Sequence, residues 1–536
     1  MHILSTHLSV LYNSATRFPT ATAFRIPRTD SAGQVTAWDS ITYAQFLADV
    51  EEYASYWRYS LRSRCIPERS IVGLWYVLAG FTYQDVLHIY GLSRAGYIPQ
   101  LFSIRLPNPD VISELLLKAN AKALIIDTAF ASVASSFPLP TFSAANVQSA
   151  SKASEPLPPL CPPGEDDITF VFHTSGSTSG SPKLIPCTGK WLNAMIRKAR
   201  IATSPRSDRQ DVVVWMGSMC HIAQSFMLMG FLQHGACTIQ PTKIGFSSDE
   251  LLDMIHRCQL NRLNQFSTFL STHLRNSRSN PKLLSFLQAL DDIAFSGLPM
   301  AREDEEWAYL NRLNITNVFG STEMGAMMLS IGGRGRDAPL LRPIASTVYA
   351  FEPIDPTTPT EGNHQSGGRL LELIIRSESE DCPHPSLRHS DGHFHTGDLF
   401  QEVIPGSWAF RGRNDDWIKS ENSLRCDTKA IEDNVRQVCG HLLEDCIVVG
   451  SGRPSPALFV EPVSGVDHTQ LKRDIIRKTR PFHSRRYLHE RITSPNLIII
   501  VPSKSLPRTA TKGNIRRQAV EAAYKTQLDA IYSAAR

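Results

Sequence analysis

The stretch Phe170–Lys183, FVFHTSGSTSGSPK, constrains this chain most. The apolar residues Ile168, Phe170, Val171 and Phe172 predict a buried strand. It breaks into Ser, Thr and Gly and ends at Pro182-Lys183. Small residues let a backbone approach a ligand closely, and Gly176 and Gly180 can take positive φ. Successive N–H groups in such a loop form a nest for anionic oxygens, and Lys183 adds a point charge suited to phosphate. A flexible Ser/Gly surface loop is the competing reading. A Walker A loop would need Ser or Thr directly after the Lys, where this chain has Leu184. Pro186 disfavours a helix opening there. The order strand, loop, Lys therefore predicts a phosphate cradle of another kind.

At 536 residues two or more domains are expected. With 42% hydrophobic and 20% charged residues the composition is that of an ordinary globular protein. A net charge of +4 does not argue for a nucleic-acid partner. Ten cysteines without CxxC or zinc spacing read as small buried thiols in a reducing compartment. The N-terminus lacks a basic start followed by an apolar core, which speaks against a signal peptide. No run reaches the ~18–20 apolar residues of a membrane span. FMLMGFL (Phe226–Leu232) reads as a buried helix. The expectation is a cytoplasmic enzyme with no membrane span.

Along the chain, the opening reads as turn-rich. Thr42 then predicts the N-cap of a helix with Phe46, Val50, Tyr53 and Trp57 on one face. Strands are expected at Ser70–Leu74 and Ala123–Ile126, and helices at Asp85–Ala95 and Val111–Ala119. This alternation predicts βαβ units and a parallel sheet. A Ser- and Pro-rich linker covers Gln148–Asp167. Beyond the loop come a basic helical stretch at Trp191–Ile201, a strand at Val212–Trp215, and strand and turn at Asp291–Met300. From Lys429 onward, short strands and helices predict a compact α+β unit.

Five stretches, in order, carry a resemblance: TSGSTSGSPK, NVFGSTEMG (Asn317–Gly325), HTGD (His395–Asp398), RGRNDDWIK (Arg411–Lys419) and LPRTATKGNIRR (Leu506–Arg517). Together they resemble the signature motifs of the adenylate-forming superfamily, which includes acyl-CoA synthetases, luciferases and peptide-synthetase adenylation domains. In motif style they are most similar to adenylation domains of fungal adenylate-forming (carboxylic acid) reductases. Three departures stand out: the first loop is one residue longer at Ser179, Lys512-Gly513 inverts the usual Gly-Lys, and Asn422 stands in for a glycine.

The resemblance implies an α/β fold: a large N-terminal domain of stacked sheets with helices (1–413), a hinge (414–416, centred on Asp415) and a small mobile α+β C-terminal domain (417–536). It implies ATP and Mg²⁺. Thr174, Ser175, Gly176, Ser177, Thr178, Ser179, Gly180 and Lys183 would hold phosphates. Asn317 would meet the adenine edge and Phe319 its face, alongside Gly320, Ser321 and the turn at Ser296-Gly297. Asp398 would take both ribose hydroxyls, with Arg413 nearby. The catalytic set would be Thr322 at the α-phosphate, Glu323 on Mg²⁺, Lys512 bridging acid and ribose with Lys504 as the alternative, and His221 gating the acid pocket. The pocket wall would be His221, Ile222, Phe266, Ser267, Leu298, Met324 and Ala326.

The implied reaction activates a small carboxylic acid to an acyl-adenylate with release of pyrophosphate, then transfers the acyl group to a phosphopantetheine thiol. Peptide-synthetase domains for α-amino acids place an Asp where this chain has Ile222-Ala223, so an aromatic or short-to-medium aliphatic acid is expected instead. The acceptor is expected to be a carrier domain of a reductase-type multidomain enzyme. The alternatives are a stand-alone acid–CoA ligase using free CoA, and a non-catalytic nucleotide-binding module.

Overall fold

The computed structural model describes residues 3–75, 80–103, 106, 108–147, 156–174, 183–354, 369–414, 417–419, 425–484, 486, 488–508 and 514–533. Among these residues the larger sheets have six, thirteen and three strands. The six-stranded sheet runs in spatial order Thr141–Ser143, Ala123–Ile126, Ile71–Trp75, Ile98–Phe102, Ile168–Thr174 and Lys183–Thr188. Its pairings are parallel except the last, where Thr174 faces Lys183 across an antiparallel hairpin. The thirteen-stranded sheet has a parallel centre, Cys237–Ile239, Val212–Val214, Arg262–Phe266, Asp292–Ser296 and Ile315–Ser321. At Gly325–Ser330 the chain folds back, and the strands beyond pair antiparallel.

Burial explains the layering. One face of each sheet meets the same core: Val72, Leu74 and Phe172 from one sheet, Val213, Trp215, Ala294 and Val318 from the other. The helices Tyr43–Ser63, Tyr83–Arg94, Gly189–Ala202 and Ile222–Gln233 fill the space between. On the far side of the thirteen-stranded sheet, Val212, Val214, Leu263 and Ile293 pack against Leu251, Leu270 and Leu287 of three outer helices. On the far side of the six-stranded sheet, Trp75, Leu124 and Ile126 meet the helix Pro109–Lys118. The result is the expected α/β architecture of stacked sheets with helices. A separate apolar core, from Ile418 to Tyr532, belongs to the three-stranded sheet Leu443–Val449, Ala457–Pro462 and Ile498–Ile500 with its helices.

The expected helices form, each within a few residues of its predicted bounds. Thr42 caps Tyr43–Ser63 by accepting from the Gln45 N–H. FMLMGFL lies within Ile222–Gln233, a helix buried on nearly all sides. Among the described residues no helix is long and apolar enough to cross a membrane. The opening is a correction: His7–Arg17 is a helix, not a turn-rich segment. Its sequence mixes small and polar residues, which hides the period. A reciprocal Thr6–Ser9 capping box starts it, and Leu8, Leu11 and Ala15 form its buried stripe. Ser14 fastens it to the core by donating to the Leu232 carbonyl at 2.7 Å.

The parallel centre hides one cation. Arg262 is wholly buried and donates to Asp211 at 2.8 Å and to Asp292 at 3.1 Å. It also donates to the carbonyls of Thr203 and Ser204, and its guanidinium lies 5.1 Å from the Phe231 ring centroid. Thr316 of the next strand donates to Asp292 at 2.7 Å. The Arg262→Met variant strands the buried Asp211, leaves Asp292 with only Thr316 and, at 4.0 Å, Arg206 among the described residues, and is expected to cost about 3–5 kcal/mol. The first urea transition of the folded chain, followed by tryptophan fluorescence, measures this; a loss under about 1 kcal/mol would contradict it.

Candidate active site

The strand order makes a switch point. From Val212–Val214 the chain goes to a neighbour on one side, Cys237–Ile239, and then to the other side, Arg262–Phe266. Open α/β sheets bind ligands at the carboxyl ends of strands flanking such a switch point. Here those ends carry His221 and Phe266, whose rings meet edge to face at 4.8 Å.

The segment between strand and helix is held from several directions. Gln224 accepts from the N–H groups of Met216 and Gly217, and Ser225 donates to the Met219 carbonyl. The Met219 N–H donates to the Gly80 carbonyl and Cys220 Sγ to the Phe102 carbonyl, which ties the segment to the six-stranded sheet. Burial pushes the Cys220 thiol up to about 12, so it stays protonated and inert. His221 is the N-cap of Ile222–Gln233: its Nδ1 accepts from the Ala223 N–H at 3.2 Å, which assigns the ring proton to Nε2. A Cβ on Gly217 would lie 2.6 Å from the Phe266 ring, and one on Gly297, at φ +94°, 3.2 Å from it. The Phe266 ring therefore sits in a slot that only glycines leave open.

Strand register brings further site residues into rows. Phe266 pairs with Ser296, and Phe295 with Asn317. The surroundings of Ile222 are apolar: Ile222, Phe226 and Ala326 share the central core. Ser267, buried, opens the helix after Phe266. Leu298, at the tip of its turn, is 62% exposed. Met324 packs into a different core, with Met327, Met328 and Leu341.

Thr322 and Glu323 lie at the apex of a hairpin. Ser321 pairs with Gly325, whose φ of +61° closes a three-residue loop. The Ser321 hydroxyl is buried with no partner among the described residues. The backbone is better held: the Glu323 carbonyl accepts from the Trp191 indole, and the Met324 carbonyl from Lys198 Nζ, both at 2.9 Å. Lys198 also forms a buried ion pair with Asp381 at 2.7 Å. Burial lowers the Lys198 pKa, and Asp381 partly offsets that. Burial alone would raise the Asp381 carboxyl; Lys198, Ser379 and Tyr349 outweigh it and hold it below its ordinary value.

Phe319 packs against Phe400 and Phe410, with centroids 5.3 and 5.1 Å away. Asp398 and Arg413 are register partners, with Arg413 Nη1 3.4 Å from Asp398 Oδ1 and Nη2 donating to the Thr396 carbonyl. Beside them His395 contacts Asp391 at 2.9 Å and Glu372 at 3.6 Å. Burial works against its protonation, but these carboxylates prevail and raise its pKa above the ordinary histidine value. Ser175, Gly176, Ser177, Thr178, Ser179, Gly180, Asp415, Asn422 and Lys512 lie outside the described residues. The flanks of the first loop are described: Thr174 ends one strand and Lys183 begins the next.

Two neighbours escaped the sequence reading. His173, just before Thr174, stacks on Phe102 at 4.5 Å and bonds the Leu101 carbonyl; burial brings its pKa to about 4, so it is neutral. Asn264 lies on the same face of its strand as Phe266, paired with Ala294, and its Oδ1 is buried without a partner among the described residues. An amide inside an otherwise packed strand was the available signal. Among the described residues no cluster of three His, Cys, Asp or Glu side chains could hold a metal ion. A cation brought in by a phosphate chain needs less: Glu323 has no side-chain partner among the described residues, and one hard carboxylate with phosphate oxygens and water suits Mg²⁺.

The fold recurs among known proteins. The AMP-binding enzyme family model matches residues 11–349, and the AMP-binding enzyme C-terminal domain model matches residues 415–536. The chain is 36% identical over 516 residues to the AMP-binding domain-containing enzyme iboA of Amanita muscaria (strain Koide BX008), covering 94% of this chain and 98% of that protein. It is 24% identical to the adenylate-forming reductase Nps10 of Heterobasidion annosum, across 92% of this chain but only 47% of the reductase. Among solved structures, the O-succinylbenzoate Coenzyme A synthetase of Bacillus subtilis in complex with ATP and magnesium superposes with a TM-score of 0.74 at 15% identity, covering 96% of this chain and 99% of that one. The chain belongs to the AMP-binding enzyme family, the adenylate-forming ligases.

Proposed function

We propose that this chain activates a small carboxylic acid with ATP, releases pyrophosphate and passes the acyl group to a pantetheine thiol. The observation that carries this reading is the hairpin apex at Ser321–Glu323: two hydroxyls and a carboxylate, fixed through the backbone, with no side-chain partners of their own among the described residues. Such groups suit a ligand that brings phosphate and a divalent cation.

In this reading the acid carboxylate attacks the α-phosphorus of ATP, and the bond to pyrophosphate breaks. The loop from Thr174 through Ser175, Gly176, Ser177, Thr178, Ser179 and Gly180 to Lys183 holds the departing charge. Thr322 donates to the α-phosphate, and Glu323 would hold the Mg²⁺ that neutralises the phosphate chain. Asn317, Phe319, Gly320 and the Ser296-Gly297 turn frame adenine. Asp398 accepts from the ribose hydroxyls while Arg413 beside it offsets the buried charge. Lys512 bridges the acid and the ribose, and it leaves when the small domain, 417–536, turns about Asp415 away from 1–413. A thiolate then attacks the mixed anhydride, and AMP departs.

The pocket reading rests on His221, Ile222, Phe266, Ser267, Leu298 and Ala326, a mostly apolar set that favours an aromatic or short-to-medium aliphatic acid, while Met324, buried in the other core, could only back that wall. The first turn of the helix after His221 is Ile222-Ala223-Gln224, with no carboxylate to pair an α-ammonium. Asn264 adds one polar handle. The acceptor in this reading is a carrier-bound pantetheine, as the reductase-type relatives suggest by analogy. A second reading takes free CoA as the acceptor.

Pyrophosphate exchange across a panel of acids tests activation, and its absence for every acid would leave a nucleotide-binding module. Lys512→Ala should abolish acid-dependent exchange while sparing thiolysis of supplied acyl-adenylate; unchanged exchange would sink that role. Asn264→Leu should lower kcat/KM about tenfold for an acid whose side chain bears a hydroxyl, and leave its deoxy analogue unaffected. Equal effects on both acids would remove Asn264 from the pocket.

A further inference from the structure

The helix Gly189–Ala202 follows directly on the strand Lys183–Thr188, with Thr188 as its N-cap. One stripe of this helix, Trp191, Met195 and Lys198, carries three contacts with the hairpin that bears Thr322 and Glu323. The Trp191 indole donates to the Glu323 carbonyl at 2.9 Å. Lys198 Nζ donates to the next carbonyl, Met324, at 2.9 Å. Gly325 closes the loop so near Met195 that a Cβ there would lie 2.4 Å from its sulfur. Lys198 is itself fixed by Asp381, which accepts from Ser379 and Tyr349 at 2.5 Å each.

Stability alone does not explain such a pair. A buried ion pair is often no better than apolar side chains of the same volume, so retaining one suggests a demand for geometry. The demand is visible: both bonds go to consecutive backbone carbonyls behind the apex, and neither occupies a side chain of it. Lys183, at the other end of the same strand and helix, begins the segment.

We propose that Trp191 and Lys198 are positioning residues, which set the Thr322–Glu323 apex at a fixed spacing from the Lys183 end of the phosphate loop. The proposal rests on Glu323 serving Mg²⁺ and Thr322 the α-phosphate, as read above. Neither Trp191 nor Lys198 touches substrate in this scheme. They act by removing backbone freedom from a carboxylate that must meet Mg·ATP without rearranging.

Trp191→Phe tests this by deleting the indole N–H while keeping an aromatic ring in place. It is expected to raise the KM for Mg·ATP and the Mg²⁺ concentration for half-maximal pyrophosphate exchange about tenfold, the equivalent of one ordinary hydrogen bond. The KM for the acid should move less than about twofold. The pair Lys198→Met/Asp381→Asn removes both charges together and should shift the same two parameters, with thermal unfolding reporting that the chain still folds. Two results would overturn the proposal: Mg·ATP parameters unchanged in folded variants, or acid and Mg·ATP constants rising together as in a general loosening. Glu323→Gln separates the Mg²⁺ role of Glu323 from the positioning role of Trp191 and Lys198. If it leaves the Mg²⁺ dependence unchanged, the Glu323 reading fails and takes this proposal with it; if it shifts that dependence while Trp191→Phe does not, the positioning role alone fails.

Discussion

The guanidinium of Arg262 is where the parallel sheet is locked. Asp211 precedes one strand, Asp292 begins another, and Arg262 begins the strand between them. Thr316 joins a fourth strand to the same carboxylate. One cation therefore fixes the relative height of four neighbours at their amino-terminal ends. The proposed site residues that these strands carry lie toward the opposite ends: the Met216–His221 segment, Phe266, Ser296-Gly297 and the Thr322–Glu323 apex. A slip of one residue in any strand would turn its terminal side chain to the other face. Placing the ionic lock at one end leaves the other free to carry loops shaped by ligands and not by packing.

In the proposed site the neighbours of the acid pocket and the nucleotide residues differ in charge. His173 is neutral through burial, and the Cys220 thiol is held protonated. His221 spends Nδ1 on its own helix cap. In the proposed site the charges gather instead at Lys183, Glu323, Asp398 and Arg413, which in that reading would meet the charges of a nucleotide. A low-dielectric wall with fixed charges beyond it strengthens each electrostatic contact made there, at no reorganisation cost when charge develops.

Much of the fold was legible because its signals are local. Thr42 and the stripe Phe46–Trp57 announce their helix, and the apolar run Phe226–Leu232 announces a buried one. The family resemblance was legible for a similar reason: each of its motifs is one short contiguous run of residues. What the sequence hid falls into two kinds. The helix His7–Arg17 is specified by a Thr6–Ser9 cap and a stripe diluted by Ser, Asn and Thr, so its period is weak. The other kind is long-range. Lys198 reads as one more cation in a basic helix until Asp381, 183 residues away, is placed against it. Arg262 and Asn264 read as polar interruptions in a strand until the layers above and below them are known.

Those hidden pairs share a position, and the position explains them. Arg262 with Asp211 and Asp292 lies beneath the strands; Lys198 with Asp381 lies behind the hairpin apex. Each desolvated charge costs several kcal/mol, which Coulomb attraction inside the protein does little more than return. An apolar core could replace either pair at small loss of stability. What it could not replace is direction, because apolar contacts tolerate sliding while a hydrogen-bonded ion admits one arrangement. Lys198 satisfies a carboxylate and a specific carbonyl with the same ammonium, so helix, hairpin and Asp381 must all be in register at once. The sheet's apolar layers supply the stability of this chain, and its buried ions supply the registry from which the site's geometry follows.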